Sequence, residues 1–335
     1  MKNPFVTNGY VSPEYFCDRE KETAKIVSLL TNENNIALIS PRRLGKTDLL
    51  RHCFGQPEIK EHYHTFIIDI YATSSVRDFV NVFGKAVLDE LRPKGKSVWG
   101  TFLNVLASLR SEITFDMNGQ PTWGIGLGAI TNPSATLDEI FSYLNNAGKP
   151  CLIAIDEFQQ ITKYADDPNI EAALRTHIQR CSNAHFVFSG SHRHLMGAMF
   201  TSPARPFYQS VTLINLPPIS VDKYAEFCLK HFERVSKHLD TLVVTELYER
   251  FNGITSYMQK VMNILFSMTG TGEICIPSMI DTAINDLLDF SADTYDALLY
   301  QMPEKQRIVF MAIAAEGKAK AISSGDFVRK YKLQS

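Results

Sequence analysis

Residues 40–47 read Ser40-Pro41-Arg42-Arg43-Leu44-Gly45-Lys46-Thr47, and Asp48-Leu49-Leu50-Arg51 follows them. The apolar run Ile36-Ala37-Leu38-Ile39 leads in, and a helical pattern leads out. A strand feeding a glycine loop into a helix N-terminus turns backbone N–H groups and the positive end of a helix dipole toward an anion. In that setting Lys46 reaches β- and γ-phosphates and the Thr47 hydroxyl binds Mg²⁺. The pattern matches G-x-x-x-x-G-K-S/T except at its first position, where Ser40 stands for glycine.

A second constellation follows roughly a hundred residues later. Cys151-Leu152-Ile153-Ala154-Ile155 is a continuous apolar run, suited to a strand buried on both faces of a parallel sheet. It ends in Asp156-Glu157. Adjacent carboxylates at the end of a buried strand are costly unless something offsets them. At a nucleotide site Asp156 would hold Mg²⁺ and Glu157 would orient and activate the attacking water. A strand that merely ends in a solvated acidic loop is the plainer alternative. Both halves together, in this order, favour the nucleotide site.

The elements that must position these groups can be read from the pattern around them. At 335 residues the chain suggests two or three domains. With 45% hydrophobic and 21% charged residues it has the composition of a globular protein with a sizeable core. A net charge of −2 gives no global attraction to nucleic acid. The N-terminus lacks an apolar signal region, and no stretch approaches a membrane span in length, so a cytoplasmic protein without membrane contact is expected. The six cysteines are scattered without a C-x-x-C pair, which points to free, buried thiols. Helical periodicity at 19–30, 76–91 and 169–181 alternates with apolar runs at 36–39, 65–70, 151–155, 185–191 and 211–216. That alternation predicts an α/β fold with a doubly wound parallel sheet. Ile113, Phe115 and Met117 alternate, Asn118-Gly119 offers a turn, and Trp123, Ile125 and Leu127 alternate again, which predicts an inserted β-hairpin at about 110–130. Gly124, Gly126 and Gly128 lie within that alternation and open no helix, so they are no dinucleotide site.

After Pro217-Pro218 the pattern becomes helical, with no good strand over 220–300. Residues 271–300 hold six acidic residues and no Lys or Arg, read as a solvated helix face. Residues 301–335 reverse the balance to +4, with helices expected at 306–315 and after Ser323-Ser324.

Phe16-Cys17-Asp18-Arg19-Glu20, then Ser40 to Thr47, then Asp156-Glu157-Phe158-Gln159, then Ser189-Gly190-Ser191 together resemble the archaeal-type ATPases. These are P-loop proteins related to AAA+ and close to the signal-transduction ATPases with numerous domains. The resemblance spans nearly the whole chain. It implies a P-loop NTPase core of five parallel strands in the order 5-1-4-3-2, a helical lid and a C-terminal winged helix. The expected divisions are 1–218 for the core, 219–300 for the lid and 301–335 for the start of a winged helix cut off before its recognition helix. It implies ATP and Mg²⁺ as ligands and slow Mg²⁺-dependent hydrolysis. Ser40, Pro41, Arg42, Arg43, Leu44, Gly45, Lys46, Thr47 and Asp48 would cradle the nucleotide. Family members often carry F-x-G-R-E before the first helix; here Asp18 takes the glycine position, and the adenine contact would fall on Arg19. A lid motif G-x-P-x-x-x-Q appears as Gly253 to Gln259 with Thr255 for the proline, which puts Gln259 toward the nucleotide. No arginine stands in it as a second γ-phosphate sensor.

Weaker candidates keep two readings each. Ser189 and Ser191 are either a γ-phosphate sensor or hydroxyls that end a strand. Arg205 is either an arginine finger, in cis or across a subunit interface, or a solvated loop arginine. For the whole chain the leading function is an ATP-hydrolysing switch that relays nucleotide state to a protein partner, or to a second copy through the lid. The alternative is a nucleotide-regulated DNA-binding protein whose basic C-terminal segment binds DNA weakly. An ATP-binding module with little turnover is the third.

Overall fold

The computed structural model describes residues 3–91, 113–115, 121–123, 133–317 and 319–333. In chain order its first elements are α1 (Glu20–Thr31), β1 (Ile36–Ile39), α2 (Lys46–Phe54), α3 (Pro57–Lys60), β2 (His64–Asp69), α4 (Val76–Glu90), β3 (Ile113–Phe115) and β4 (Pro121–Trp123). Then come α5 (Pro133–Asn145), β5 (Cys151–Asp156), α6 (Ile170–Arg180), β6 (Ala184–Gly190), α7 (Arg193–Thr201) and β7 (Thr212–Asn215). Five strands pair in the order β2-β5-β6-β1-β7, and every pairing is parallel. Counted among core strands alone, this is the expected 5-1-4-3-2 order.

The central strands are largely apolar because both their faces are covered. Ala37 and Ile39 of β1 pack with Ile153, Ile155, Phe186 and Phe188 on one face. Ile36 and Leu38 pack with Leu152, Ala154 and Val187 on the other. Helices α4, α5 and α6 seal the first face; α1 and α2 seal the second. Strands β3 and β4 pair antiparallel, with Ile113 opposite Trp123, as the alternation predicted. The Asn118-Gly119 turn and the glycines at 124–128 lie outside the described residues.

The helical lid follows as α8 (Val221–Glu233), β8 (His238–Leu239), α9 (Thr241–Phe251), α10 (Thr255–Met268), β9 (Ile274–Cys275) and α11 (Ile280–Gln301). Last come α12 (Glu304–Glu316) and α13 (Gly325–Lys330), the latter capped by Ser324, which accepts from Phe327 N–H. The segment read as strandless holds one short parallel pair, His238 opposite Ile274 and Leu239 opposite Cys275. Two-residue strands leave no periodicity to read. The acidic helix α11 ends at Gln301, where the charge balance reverses. All six cysteines are buried, unpaired thiols. Among the described residues no helix is long and apolar enough to cross a membrane.

The N-terminal residues belong with the lid core as much as with the sheet. Phe5 is fully buried among Phe227, Phe232 and Phe266. Asn3 Nδ2 donates to Asn263 O at 2.8 Å, and Asn263 Nδ2 donates back to Phe5 O at 2.7 Å. Phe5→Ala is therefore expected to cost about 3–5 kcal/mol of stability. Urea unfolding followed by circular dichroism measures it; a loss below about 1 kcal/mol would show that the segment adds nothing to the lid core.

Candidate functional site

The loop between β1 and α2 is shaped by two left-handed residues, Arg43 at φ +71° and Gly45 at φ +85°. A Cβ at Gly45 would meet nothing within 4 Å, so backbone conformation alone demands glycine there. Ser40 at the loop's start is fully packed, at 1% exposure, and its N–H donates to Gly190 O at 3.3 Å. The loop turns Lys46 inward: it is 6% exposed, and its Nζ donates to the carbonyl oxygens of Ser40 (3.0 Å) and Pro41 (3.3 Å). Among the described residues no carboxylate forms an ion pair with it. Burial pulls the Lys46 ammonium below the usual lysine range, against the pull of Asp156 and Glu157. A buried cation held by carbonyl dipoles suits an incoming anion.

Thr47 Oγ1 donates to Asp156 Oδ2 at 2.5 Å, joining the two halves found in the sequence. A hydroxyl and a buried carboxylate are hard oxygen donors of the kind that bind Mg²⁺. Asp156 Oδ1 also accepts the Glu157 N–H at 3.0 Å. Glu157 leaves the strand in left-handed backbone, φ +55°, and its Oε2 accepts from Gln159 Nε2 and from Ser191 Oγ. These groups border a cleft of about 320 Å³ that is closed on its far side by Thr255, Ser256 and Gln259 of the lid. Val6 to Val11, Tyr15 and Phe16 form its remaining wall. There Phe16 stacks on His52 with ring centres 4.4 Å apart, and Tyr10 Oη lies 3.1 Å from His52 Nδ1.

Residues 16–261 match the family model of an ATPase domain found predominantly in Archaea, and residues 293–335 match that of a probable winged helix domain. The chain belongs to this ATPase family. No curated protein sequence matches it. Its fold is similar to that of a Walker-type ATPase of Pyrococcus abyssi, at 18% identity and TM-score 0.63, over 98% of this chain and 87% of that one. It is also similar to the ORC2 protein of Aeropyrum pernix in its ADPNP–ADP complexes, at 15% identity and TM-score 0.60, over 98% and 82% of the two chains. The ORC1 protein of the same organism, in complex with DNA, aligns at 14% identity and TM-score 0.55, over 96% and 78%.

In this archaeal ATPase fold most of the sequence-predicted residues meet at one cleft. Arg19, Arg42, Arg43, Leu44, Gly45, Lys46, Thr47, Asp48, Asp156, Glu157 and Gln259 all line it. The two departures from family pattern are accommodated locally. Asp18 keeps the left-handed backbone a glycine would give, at φ +55°. Thr255 is the first residue of α10, where proline is favoured but not required. Arg19 is 3% exposed and tied to Glu22 (2.9 Å) and to Pro217 O (2.7 Å). Gln259 Oε1 accepts from Tyr224 Oη at 3.0 Å.

Four candidates do not line the cleft: Ser40 and Pro41 stand behind Lys46 through their carbonyls, and Ser189 and Arg205 lie elsewhere. Ser189 sits inside β6 opposite Leu38, fully buried, and its hydroxyl has no partner among the described residues. Ser191, beyond the strand's end, is the hydroxyl that reaches Glu157. Arg205 pairs with Glu171 of α6, and it does not line the cleft. Sequence reasoning gave no role to Tyr10, Phe16, His52 or Ser256. For Tyr10 and Phe16 the signal was an aromatic-rich loop ahead of α1; Ser256 stood in the lid motif without a role of its own, and His52 on α2 gave no signal.

Lys46→Ala is expected to weaken ATP binding by ~10–100-fold, measured by titration calorimetry, through loss of charged hydrogen bonds. Lys46→Met should also make the nucleotide-free protein more stable at neutral pH. A depressed lysine value means that the protonated form is disfavoured by folding. That penalty is full below the depressed value and fades as pH rises toward the ordinary lysine value, about 10.4. Urea midpoints at neutral and alkaline pH check the sign.

Proposed function

We propose that this chain is an ATP-hydrolysing switch whose nucleotide state is passed through the lid to a partner. The observation that carries the reading is a bond between phosphate loop and lid: Ser256 N–H, at the start of α10, donates to Arg43 O at 3.1 Å. The Arg43 guanidinium also rests 4.8 Å from the Tyr257 ring centre. Any shift of the loop around phosphate is thereby felt at the lid.

In this reading Thr47 and Asp156 hold Mg²⁺, which when bound neutralises phosphate charge. Lys46 transfers its hydrogen bonds from the Ser40 and Pro41 carbonyls to β- and γ-phosphate oxygens. Glu157 takes a proton from water as the water oxygen bonds to the γ-phosphorus. The bond from that phosphorus to the β–γ bridging oxygen breaks, and its electron pair stays on ADP. Tyr10 and Phe16 supply an aromatic wall for the base. Arg205, neutralised by Glu171 within its own subunit, does not serve its own cleft; a role across an interface would require that pair to open.

DNA binding is the second reading, supported by the winged-helix match at 293–335. The charge available for it is reduced by internal pairing. Arg329 pairs with Asp326 and Lys330 with Glu316, and Lys318 lies outside the described residues. The strongly exposed Phe290 and Tyr300 on α11 favour a protein surface as the relay's destination.

Glu157→Gln is expected to keep ATP affinity while lowering turnover by ~10²–10⁴-fold. Asp156→Asn should instead raise the Mg²⁺ concentration needed for half-maximal rate. Phosphate release at saturating ATP reads both; undiminished turnover in Glu157→Gln would place the base elsewhere.

A further inference from the structure

Glu157 turns out of β5 in a backbone conformation that non-glycine residues seldom adopt. That turn brings its carboxylate to the end of β6, where one oxygen does all the accepting. Oε2 takes hydrogen bonds from Gln159 Nε2 and from Ser191 Oγ, the latter at 2.7 Å. Among the described residues Oε1 accepts none. Ser191 Oγ in turn accepts from Arg42 Nε at 3.4 Å, and the Arg42 guanidinium lies 5.1 Å from the Tyr71 ring centre.

Gln159 is the less expected member. It is 3% exposed, in the 3₁₀ turn Phe158–Lys163 that follows Glu157. A carboxylate only accepts, so the amide nitrogen must face Glu157. The amide oxygen is left buried without a partner. It fills the space beside Gly190, where a Cβ would overlap both Gln159 Oε1 and Met196. A leucine would fill this volume without an unpaired carbonyl, so packing alone does not account for an amide here. Gly190 completes the arrangement, because any larger residue would push Gln159 off the carboxylate.

We propose that Gln159 and Ser191 are positioning residues for the water-activating carboxylate. They pin Glu157 Oε2 and so present Oε1 as the oxygen that takes the proton. The proposal rests on Glu157 being the base. The charged groups that face it are Asp156 at the end of its own strand, with Lys46 and Arg42 from the phosphate loop.

The test is steady-state phosphate release by Gln159→Leu, Ser191→Ala, Ser191→Thr and Glu157→Gln at varied Mg-ATP. Gln159→Leu and Ser191→Ala are each expected to lower kcat by about tenfold to a hundredfold, with KM for Mg-ATP little changed. Ser191→Thr, which keeps a hydroxyl, should recover part of the loss. Ser191 is only partly buried, so Ser191→Ala decides the matter if Gln159→Leu folds poorly. A loss confined to KM would overturn the proposal. An inactive Glu157→Gln beside a fully active Gln159→Leu and Ser191→Ala would remove the positioning role and leave the base in place. A fully active Glu157→Gln would remove both.

Discussion

The constraint on which this structure turns is the burial of one ammonium group. Lys46 sits at 6% exposure and, among the described residues, its hydrogen-bond partners are the Ser40 and Pro41 carbonyls alone. A charge desolvated in this way is unfavourable until an anion arrives. Every neighbouring feature serves to keep it there. The left-handed Gly45 closes the loop tightly enough to turn Lys46 inward. Ser40 anchors the loop to Gly190 on the adjacent strand. The four buried residues of β1 make the platform rigid by packing on both faces of the sheet.

From that point the contacts run outward in two directions. Toward the sheet, Thr47 meets Asp156, and Asp156 holds the backbone of Glu157. Toward the lid, Arg43 meets Ser256 through its carbonyl and Tyr257 through its guanidinium. The N-terminal segment adds a third tie. Phe5 is buried in the lid core, while Tyr10 and Phe16 contact His52 on α2. The cleft is thus walled by loop, lid and N-terminal segment together, and a ligand that fills it touches all three.

Much of this was legible in the sequence because the governing signals are local. Glycine, lysine and threonine at fixed spacing define the loop, and unbroken apolar runs define strands covered on both faces. The strand order followed from family resemblance rather than periodicity. What stayed hidden depends on contacts distant in sequence. The burial of Phe5 against Phe266 cannot be read from a loop with two prolines and a glycine. The pairing of Arg205 with Glu171 requires knowing that α6 faces the loop after α7. Ser191 rather than Ser189 reaches Glu157 because of where β6 ends and how Glu157 turns, and a left-handed glutamate has no sequence signature. The alternation that ran past Phe115 and Trp123 was correct where strands are described, since cross-strand pairing is itself a local pattern.

The central claim is that the Lys46 loop, the Asp156–Glu157 strand end and the first turn of α10 form one Mg-ATP site. A crystal structure with Mg²⁺ and a non-hydrolysable ATP analogue tests it most directly. The account predicts phosphate oxygens on Lys46 Nζ, with Ser40 and Pro41 carbonyls released. It predicts the metal on Thr47 Oγ1 with Asp156 beside it, and the base between the Tyr10–Phe16 wall and the lid. An analogue bound away from this cleft, or bound within it while Lys46 stays on the two carbonyls, would contradict the account.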